Sequence, residues 1–448
     1  WNNFQKFMGE QDNPNDSTDF LTPQIVSPTS AGFGEDTLYD YFGIPPKVGQ
    51  LSVNALPLRA YNLIYNEWYR SENIQNSVAV PKGDGPDTYT DFVLKKRGKR
   101  FDYFTSCLPF AQKGPDVLLP LGSQAPVKGI GKRDQSYTFT DQIQYETGGS
   151  SSTTYPSSAR IDNNVSAGQI DIQQDPNNPG FPGIFADLTN ATASTINALR
   201  EAFQLQKLYE RDARGGTRYR ELIKAHYNVD TGDARVNRPE LLHSSTTPMN
   251  VHQVPQQSPS GITPELTPQG NLAAFGTVSA SDRGFTKSFT EHGVIIGIVS
   301  ARADLTYQQG LNRMWSRRTK YDYYWPALAH LGEQAVLNKE IFAQGEGNPT
   351  QDEAVFGYNE RWAELRYHPS IISGKFRTDN SAKLDVWHLS QHFGSLPALN
   401  DAFIIENPPV NRVIAVPAEP HIILDSYFNL RCARPMPLYS VPGLIDHF

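Results

Sequence analysis

Val53-Asn-Ala-Leu-Pro-Leu-Arg-Ala-Tyr-Asn-Leu-Ile-Tyr-Asn-Glu-Trp-Tyr-Arg70 is the most informative stretch of this chain. From Ala60 to Arg70 the spacing predicts a helix, because Tyr61, Ile64, Tyr65 and Trp68 recur on one face. A face of large rings behind an Ala-Leu-Pro-Leu-Arg lead matches no catalytic motif. It reads as packing surface.

Upstream, residues 1–50 are polar and broken by Pro14, Pro23, Pro28, Pro45 and Pro46, which predicts a surface-hugging arm. Downstream, Phe101 to Leu108 reads as a strand ended by Pro109. Gly148-Gly-Ser-Ser-Ser-Thr-Thr154 and Asp175-Pro-Asn-Asn-Pro-Gly180 mark residues 123–182 as an inserted loop region. Thr192 to Arg214 predicts the clearest helix, with Ile196, Leu199 and Phe203 on one stripe, a Glu210–Arg214 pair, and Gly215-Gly216 as its stop. Residues 237–285 read as Pro-, Gln- and Ser-rich loop.

Strands are expected to dominate the last third. Gly293-Val-Ile-Ile-Gly-Ile-Val-Ser300 reads as a buried strand. In the best strand, Ile422, Leu424, Phe428, Leu430 and Cys432 share one parity and Asp425, Asn429 and Arg431 the other. Leu424, Phe428 and Leu430 are expected in the core, where deleting the Phe428 ring costs about 3–5 kcal/mol. Trp362 to Tyr367 alternates less cleanly. Strands scattered among long connections fit a mostly β jelly-roll barrel or sandwich with long loop insertions and a few helices.

Composition agrees with a β core carrying large loops. Apolar residues make up 38% of 448 residues, while 34 Gly and 33 Pro supply turns. No strand–helix alternation recurs, which disfavours an α/β enzyme. A net charge of −7 argues against wrapping nucleic acid by bulk charge alone. Cys107 and Cys432 are far apart and form neither a disulfide framework nor a zinc module. No run reaches the roughly 18 apolar residues of a membrane span.

The Val53–Arg70 stretch closely resembles a segment of the major capsid proteins of the Microviridae, the small icosahedral single-stranded-DNA phages, of the gokushovirus type. Three further segments fit in the same order. They are Arg97-Gly-Lys-Arg-Phe-Asp-Tyr-Phe-Thr-Ser-Cys-Leu-Pro-Phe-Ala-Gln-Lys-Gly114, Glu210-Arg-Asp-Ala-Arg-Gly-Gly-Thr-Arg-Tyr219 and Cys432-Ala-Arg-Pro-Met-Pro-Leu-Tyr-Ser-Val-Pro-Gly-Leu-Ile-Asp-His-Phe448. The resemblance spans nearly the whole chain and fades over residues 123–182. It implies the jelly-roll fold and a shell-forming structural role. It also implies a further N-terminal stretch ahead of Trp1.

The resemblance further implies partners: other copies of the chain through pentameric and trimeric contacts, packaged single-stranded DNA, phage scaffolding and pilot proteins, and a host surface receptor. No cofactor, metal or membrane insertion is implied, and the expected location is the virion, with host cytoplasm during assembly. The regions expected are an arm, helix and first strands at 1–122, a variable threefold projection at 123–182, a helix with long loops at 183–290, and jelly-roll strands with a terminal strap at 291–448. Tyr155, Phe181 and Phe185 are the candidates for pinning the projection and meeting the host.

Candidates for chemistry are few. His388-Leu-Ser-Gln-His392 has metal-motif spacing, but Leu389 stands where a metalloprotease needs its Glu. Gly129-Ile-Gly-Lys132 lacks the upstream Gly and the following Ser/Thr of a phosphate loop. No catalytic residue is assigned. Arg313, Arg317, Arg318 and Lys320 interleave with Trp315, Tyr321, Tyr323, Tyr324 and Trp325. Cations on phosphates and rings under bases are how single strands are held, yet the same residue types fill subunit interfaces. Lys95, Lys96, Arg97, Lys99 and Arg100 form a purer charge run, read either as a solvated turn or as an inward DNA-neutralising patch. The competing function is a β-sandwich, lectin-like carbohydrate-binding module.

Overall fold

The computed structural model describes residues 22–115, 117, 127–128, 185–186, 196–230, 238–255, 272–414 and 416–434. They pack as two units, one within Trp1–Ala111 and Asp230–Phe448, the other within Gln112–Val229.

In the first unit, Gln24–Val26 pairs antiparallel with Ser52–Asn54, setting Ile25 opposite Val53. Ile25 is fully buried, and Phe33, Leu38, Tyr39, Leu58, Tyr61 and Phe92 close around it. Phe33 and Tyr39 stack with ring centroids 4.0 Å apart. The stretch from Thr22 to Gln50 therefore supplies core, correcting the expectation of a surface arm. Its apolar residues fall in short clusters such as Ile25-Val26 and Leu38-Tyr39, each too brief to show a periodicity.

The predicted helix forms and starts a turn earlier, at Leu56–Ile64, continuing as a π-helical turn over Tyr65–Tyr69. Asn54 Oδ1 accepts the Leu56 N–H at 2.9 Å, and Pro57 lies in the first turn, where a missing N–H costs nothing. Tyr61 and Tyr65 are buried as expected, whereas Trp68 is partly exposed and donates its Nε1–H to Pro239 O at 2.9 Å. The polar residues of the helix hold the following loop. Arg59 meets Asp87 through Nε at 2.6 Å and Nη2 at 2.5 Å, and Asn62 donates to Ala79 O and Asp91 O.

A second core gathers Tyr103, Phe104, Cys107, Val336, Ile341, Phe356, Phe403 and Ile404. Glu333–Leu337 pairs antiparallel with Val355–Glu360, with an irregularity at Val336/Leu337. Leu108 joins that ladder, exchanging both backbone hydrogen bonds with Tyr358 at 2.7 and 2.8 Å. The rest of the predicted strand at Phe101–Leu108 is a turn instead. Asp102 Oδ1 accepts from the N–H groups of Phe104 and Thr105, a local bond that competes with a ladder. Phe101 is left 83% exposed.

Residues 237–285 contain a ribbon that composition hid: Asn250–Pro255 pairs with Leu272–Thr277. Every residue of its first strand is exposed. Without a buried face a strand has no apolar alternation to read. Conversely, the runs at 293–300 and 422–432 show no ladder. Ile423 is 96% and Phe428 80% exposed, so the expected burial of Leu424, Phe428 and Leu430 is not met in this chain. Trp362, at φ +67°, turns the chain into a 3-10 turn over Ala363–Arg366, not a strand. Among the described residues the ladders are four separate two-stranded pairs, more residues are helical than stranded, and no barrel closes. These ladders do not by themselves make up the mostly β jelly roll expected, because a run's parity does not supply its long-range partner.

In the second unit, the predicted helix runs over Ile196–Gly215 and a second spans Tyr219–Tyr227. Gly216, at φ +101°, breaks the chain between them as its sequence implied. A side chain on Gly215 would meet Ala225 Cβ at 2.5 Å, so glycine permits the close approach. His226 Nε2 bridges to Asp212 Oδ1 at 2.5 Å. Glu210 accepts from Gln206 one turn back. Of the loop at 123–182 only Val127–Lys128 is described, paired with Phe185–Ala186.

Burial at Ile25 predicts that Ile25→Ala lowers unfolding free energy by about 2–5 kcal/mol. Val26→Ala, on the exposed parity, should stay within about 0.5 kcal/mol. Urea unfolding of both variants checks the register.

Candidate nucleic-acid interface

The basic–aromatic segment divides by burial. Arg313 Nη1 donates to Ala335 O at 2.8 Å and to Glu340 Oε1 at 3.0 Å. Glu340 is buried, and it also accepts from Tyr103 OH at 2.8 Å and from the Leu337 N–H at 2.9 Å. Burial alone would lower the Arg313 pKa, but Glu340, Tyr103 and Glu364 outweigh it and raise it. Arg317 Nη2 lies 3.5 Å from Glu364, whose side chain is 7% exposed, and its guanidinium sits over the Tyr323 ring. These two arginines balance interior carboxylates.

Arg318 and Lys320 are exposed. The backbone N–H groups of Thr319 and Arg318 both donate to Asp322 Oδ2, which holds that carboxyl below its usual range and shapes the turn that presents the two cations. Lys320 Nζ lies 5.1 Å from the Tyr321 centroid, and Trp325 Nε1 donates to Lys320 O at 2.8 Å. Trp315 is 71% exposed, and Tyr321, Tyr323, Tyr324 and Trp325 are also open. The segment thus presents two outward cations beside five accessible rings.

The run at 95–100 divides likewise. Lys99 lies over the Phe403 ring at 4.3 Å, and burial lowers its pKa against the pull of Glu406 and Asp102. Arg97 reaches Ser300 Oγ at 3.0 Å and sits over Tyr69. Lys96 and Arg100 are exposed, meeting Asn407 and Asp304 respectively, while Lys95 is half-buried. Glu406, which the sequence did not single out, is buried among these cations. Burial raises its carboxyl pKa, opposed by Lys99, Arg302 and Arg97. Its backbone N–H bonds Arg97 O at 2.8 Å, a pairing more than 300 residues apart in sequence that no local signal marks.

The remaining candidates do not join these surfaces. His388 Nε2 meets Phe376 O at 2.6 Å and His392 Nε2 meets Asp379 Oδ1 at 2.7 Å, and the segment between them is not helical. No group of three or more His, Cys, Asp or Glu able to hold a metal occurs among the described residues. No described helix is long and apolar enough to cross a membrane. Tyr155, Phe181 and Gly129–Lys132 lie outside the described residues, and Phe185 pairs with Lys128.

Removing the partner of a buried carboxylate is expensive. Arg313→Gln should therefore destabilise the chain by about 3–5 kcal/mol. Arg318→Gln and Lys320→Gln should each change stability by less than about 0.5 kcal/mol. Chemical denaturation of the three variants separates interior from outward cations.

The chain matches the family model described as Capsid protein (F protein) over residues 1–444. It is 46% identical to Capsid protein VP1 of Bdellovibrio phage phiMH2K, across 100% of this chain and 83% of that protein. It is 42% identical to Capsid protein VP1 of Chlamydia phage 1, across 99% of this chain and 84% of the relative. Capsid protein VP1 of Spiroplasma virus 4 is 38% identical, across 99% and 83%. The match from end to end favours a shell subunit over a lectin-like module. This chain belongs to the capsid protein (F protein) family of the Microviridae, the single-stranded-DNA phages, and its role is structural.

Proposed function

We propose that this protein is a non-enzymatic subunit that self-associates, through pentameric and trimeric contacts, into a small icosahedral shell around single-stranded DNA. The carrying observation is the apolar surface that the single chain leaves open. Ile295, Val299, Ile371, Ile423, Tyr427 and Phe428 are all more than half exposed. A soluble monomer rarely carries so much, and such surface is relieved by partners. The run at 422–432 has the sequence alternation of a jelly-roll strand. Completing that sheet would bury Leu424, Phe428 and Leu430, while contacts with other copies would cover Ile423 and Tyr427 on the opposite parity. Several interfaces of roughly 1,200–2,000 Å² per subunit would make the shell cooperative.

Arg318 and Lys320 with Trp315 and Tyr321, and Lys95, Lys96 and Arg100 in the second run, are the side chains offered to the genome. Arg313, Arg317, Arg97 and Lys99 support them from inside. The insertion at 123–182, with Tyr155, Phe181 and Phe185, is assigned to outward projection and host contact, with a host surface receptor as its partner. Scaffolding and pilot proteins complete the assembly in host cytoplasm, and the product is the virion.

Electron microscopy of the expressed protein should show regular closed particles, in which hydrogen exchange at 293–300 and 422–430 is slowed. Small oligomers under every condition would overturn the shell reading, and unprotected amides in intact particles would overturn the strand assignment. In particles carrying Arg318→Gln and Lys320→Gln together, shells should form while DNA content falls. Loss of the shells themselves would assign the segment to an interface instead.

A further inference from the structure

Beside the basic run lies a recess of about 380 Å³ that neither the charge pattern nor the family match marks. Val78, Val93, Leu94 and Ile405 form its apolar wall, and Lys95 and Lys96 stand in its lining. Asn76 and Asp401 bring a carboxamide and a carboxylate into the same space. Gln75 is buried and fixes Asp401, donating Nε2–H to Oδ1 at 2.5 Å while its own Oε1 accepts the Ser71 N–H at 2.8 Å. The carboxylate is therefore held in place before any ligand arrives.

We infer that this recess takes one unstacked nucleobase of a single DNA strand, with Lys95 and Lys96 on the flanking phosphates. The inference rests on the DNA-contact reading above and adds a site and a base preference to it. Its size lies at the small end of ligand pockets, roughly 300–1,000 Å³. Two aligned features set the occupant. Lysines adjoining an apolar slot suit a phosphodiester carrying a flat apolar face. A fixed carboxylate accepts hydrogen bonds and repels acceptors, so it favours a base with an exocyclic amine over thymine, whose single donor, N3–H, is flanked by two carbonyls. A free anion would meet Asp401 unfavourably, whereas a strand keeps its phosphates at the lysines and its base at the acid.

The test uses the full chain with fluorescent oligo(dC) and oligo(dT) of equal length at fixed salt. Oligo(dC) should bind at least about fivefold more tightly, the low end of discrimination by one good base contact. Asp401→Asn keeps an acceptor for Gln75 and should erase that preference, with oligo(dT) affinity rising toward that of oligo(dC) because the amide no longer repels thymine's carbonyls. Leu94→Trp, a filling change at an exposed position, should bring oligo(dC) down to oligo(dT). Equal affinity of the two oligonucleotides for the unaltered chain overturns the pocket yet leaves a DNA-contact surface standing. Absence of binding by either overturns both. Weakened self-association of the Leu94→Trp chain with unchanged oligonucleotide binding would also overturn it, assigning the recess to a side chain of a second copy.

Discussion

Glu340 is the point at which distant parts of the second core are tied together. Its carboxylate receives Tyr103 from the turn at 102–106, Arg313 from the basic–aromatic segment and the Leu337 N–H from the adjoining ladder. A buried carboxylate is costly unless paired and hydrogen-bonded, so the three partners of Glu340 are constrained together. The neighbouring backbone is equally tight, since a side chain at Gly310 would lie 1.9 Å from Glu340 O. Around this anchor the rings of Tyr103, Phe104, Tyr307 and Tyr367 pack edge-on or stacked.

That constraint explains how one short run of cations serves two purposes. Arg313 and Arg317 face inward because Glu340 and Glu364 are there to meet them. With the inner pair fixed, the turn capped by Asp322 directs Arg318 and Lys320 to the outside. At 95–100, Lys99 and Arg97 are half-buried, Lys99 over Phe403 and Arg97 over Tyr69, and near enough to the buried Glu406 to oppose the rise of its pKa, while Lys96 and Arg100 are outward. In both places interior carboxylates orient a segment whose remaining charges stay available to a polyanion. A net charge of −7 is compatible with such local surfaces, because attraction at contact depends on the nearby charges once salt screens the rest.

The exposed apolar runs belong to the same economy of partners. Ile423 and Phe428 stand open in chain without secondary structure, and so do Val294, Ile295 and Val299. Such exposed apolar surface is relieved by partners. A subunit that completes its burial only with added strands or neighbours couples its own stability to association. This links the loop-rich composition to a shell more directly than any single contact does.

The helices at Leu56–Ile64 and Ile196–Gly215 were legible because helix formation rests on residues a few positions apart, which periodicity and a Gly stop report. The family was legible from four ordered segments. Local competition hid the turn at Asp102, where Thr105 and Phe104 decide against a strand that the apolar content suggested. The ribbon at Asn250–Pro255 was hidden because neither face is buried. The division of Arg313 and Arg317 from Arg318 and Lys320 could not be read at all, since it depends on carboxylates brought near only by folding. So does the recess beside Lys95, whose acid comes from Asp401, about 300 residues along the chain. Sequence by itself determined the family, the two predicted helices and the composition of the two basic runs. Tertiary structure alone decided which charges are spent inside, because pairing a buried carboxylate is a long-range requirement that no window of sequence contains.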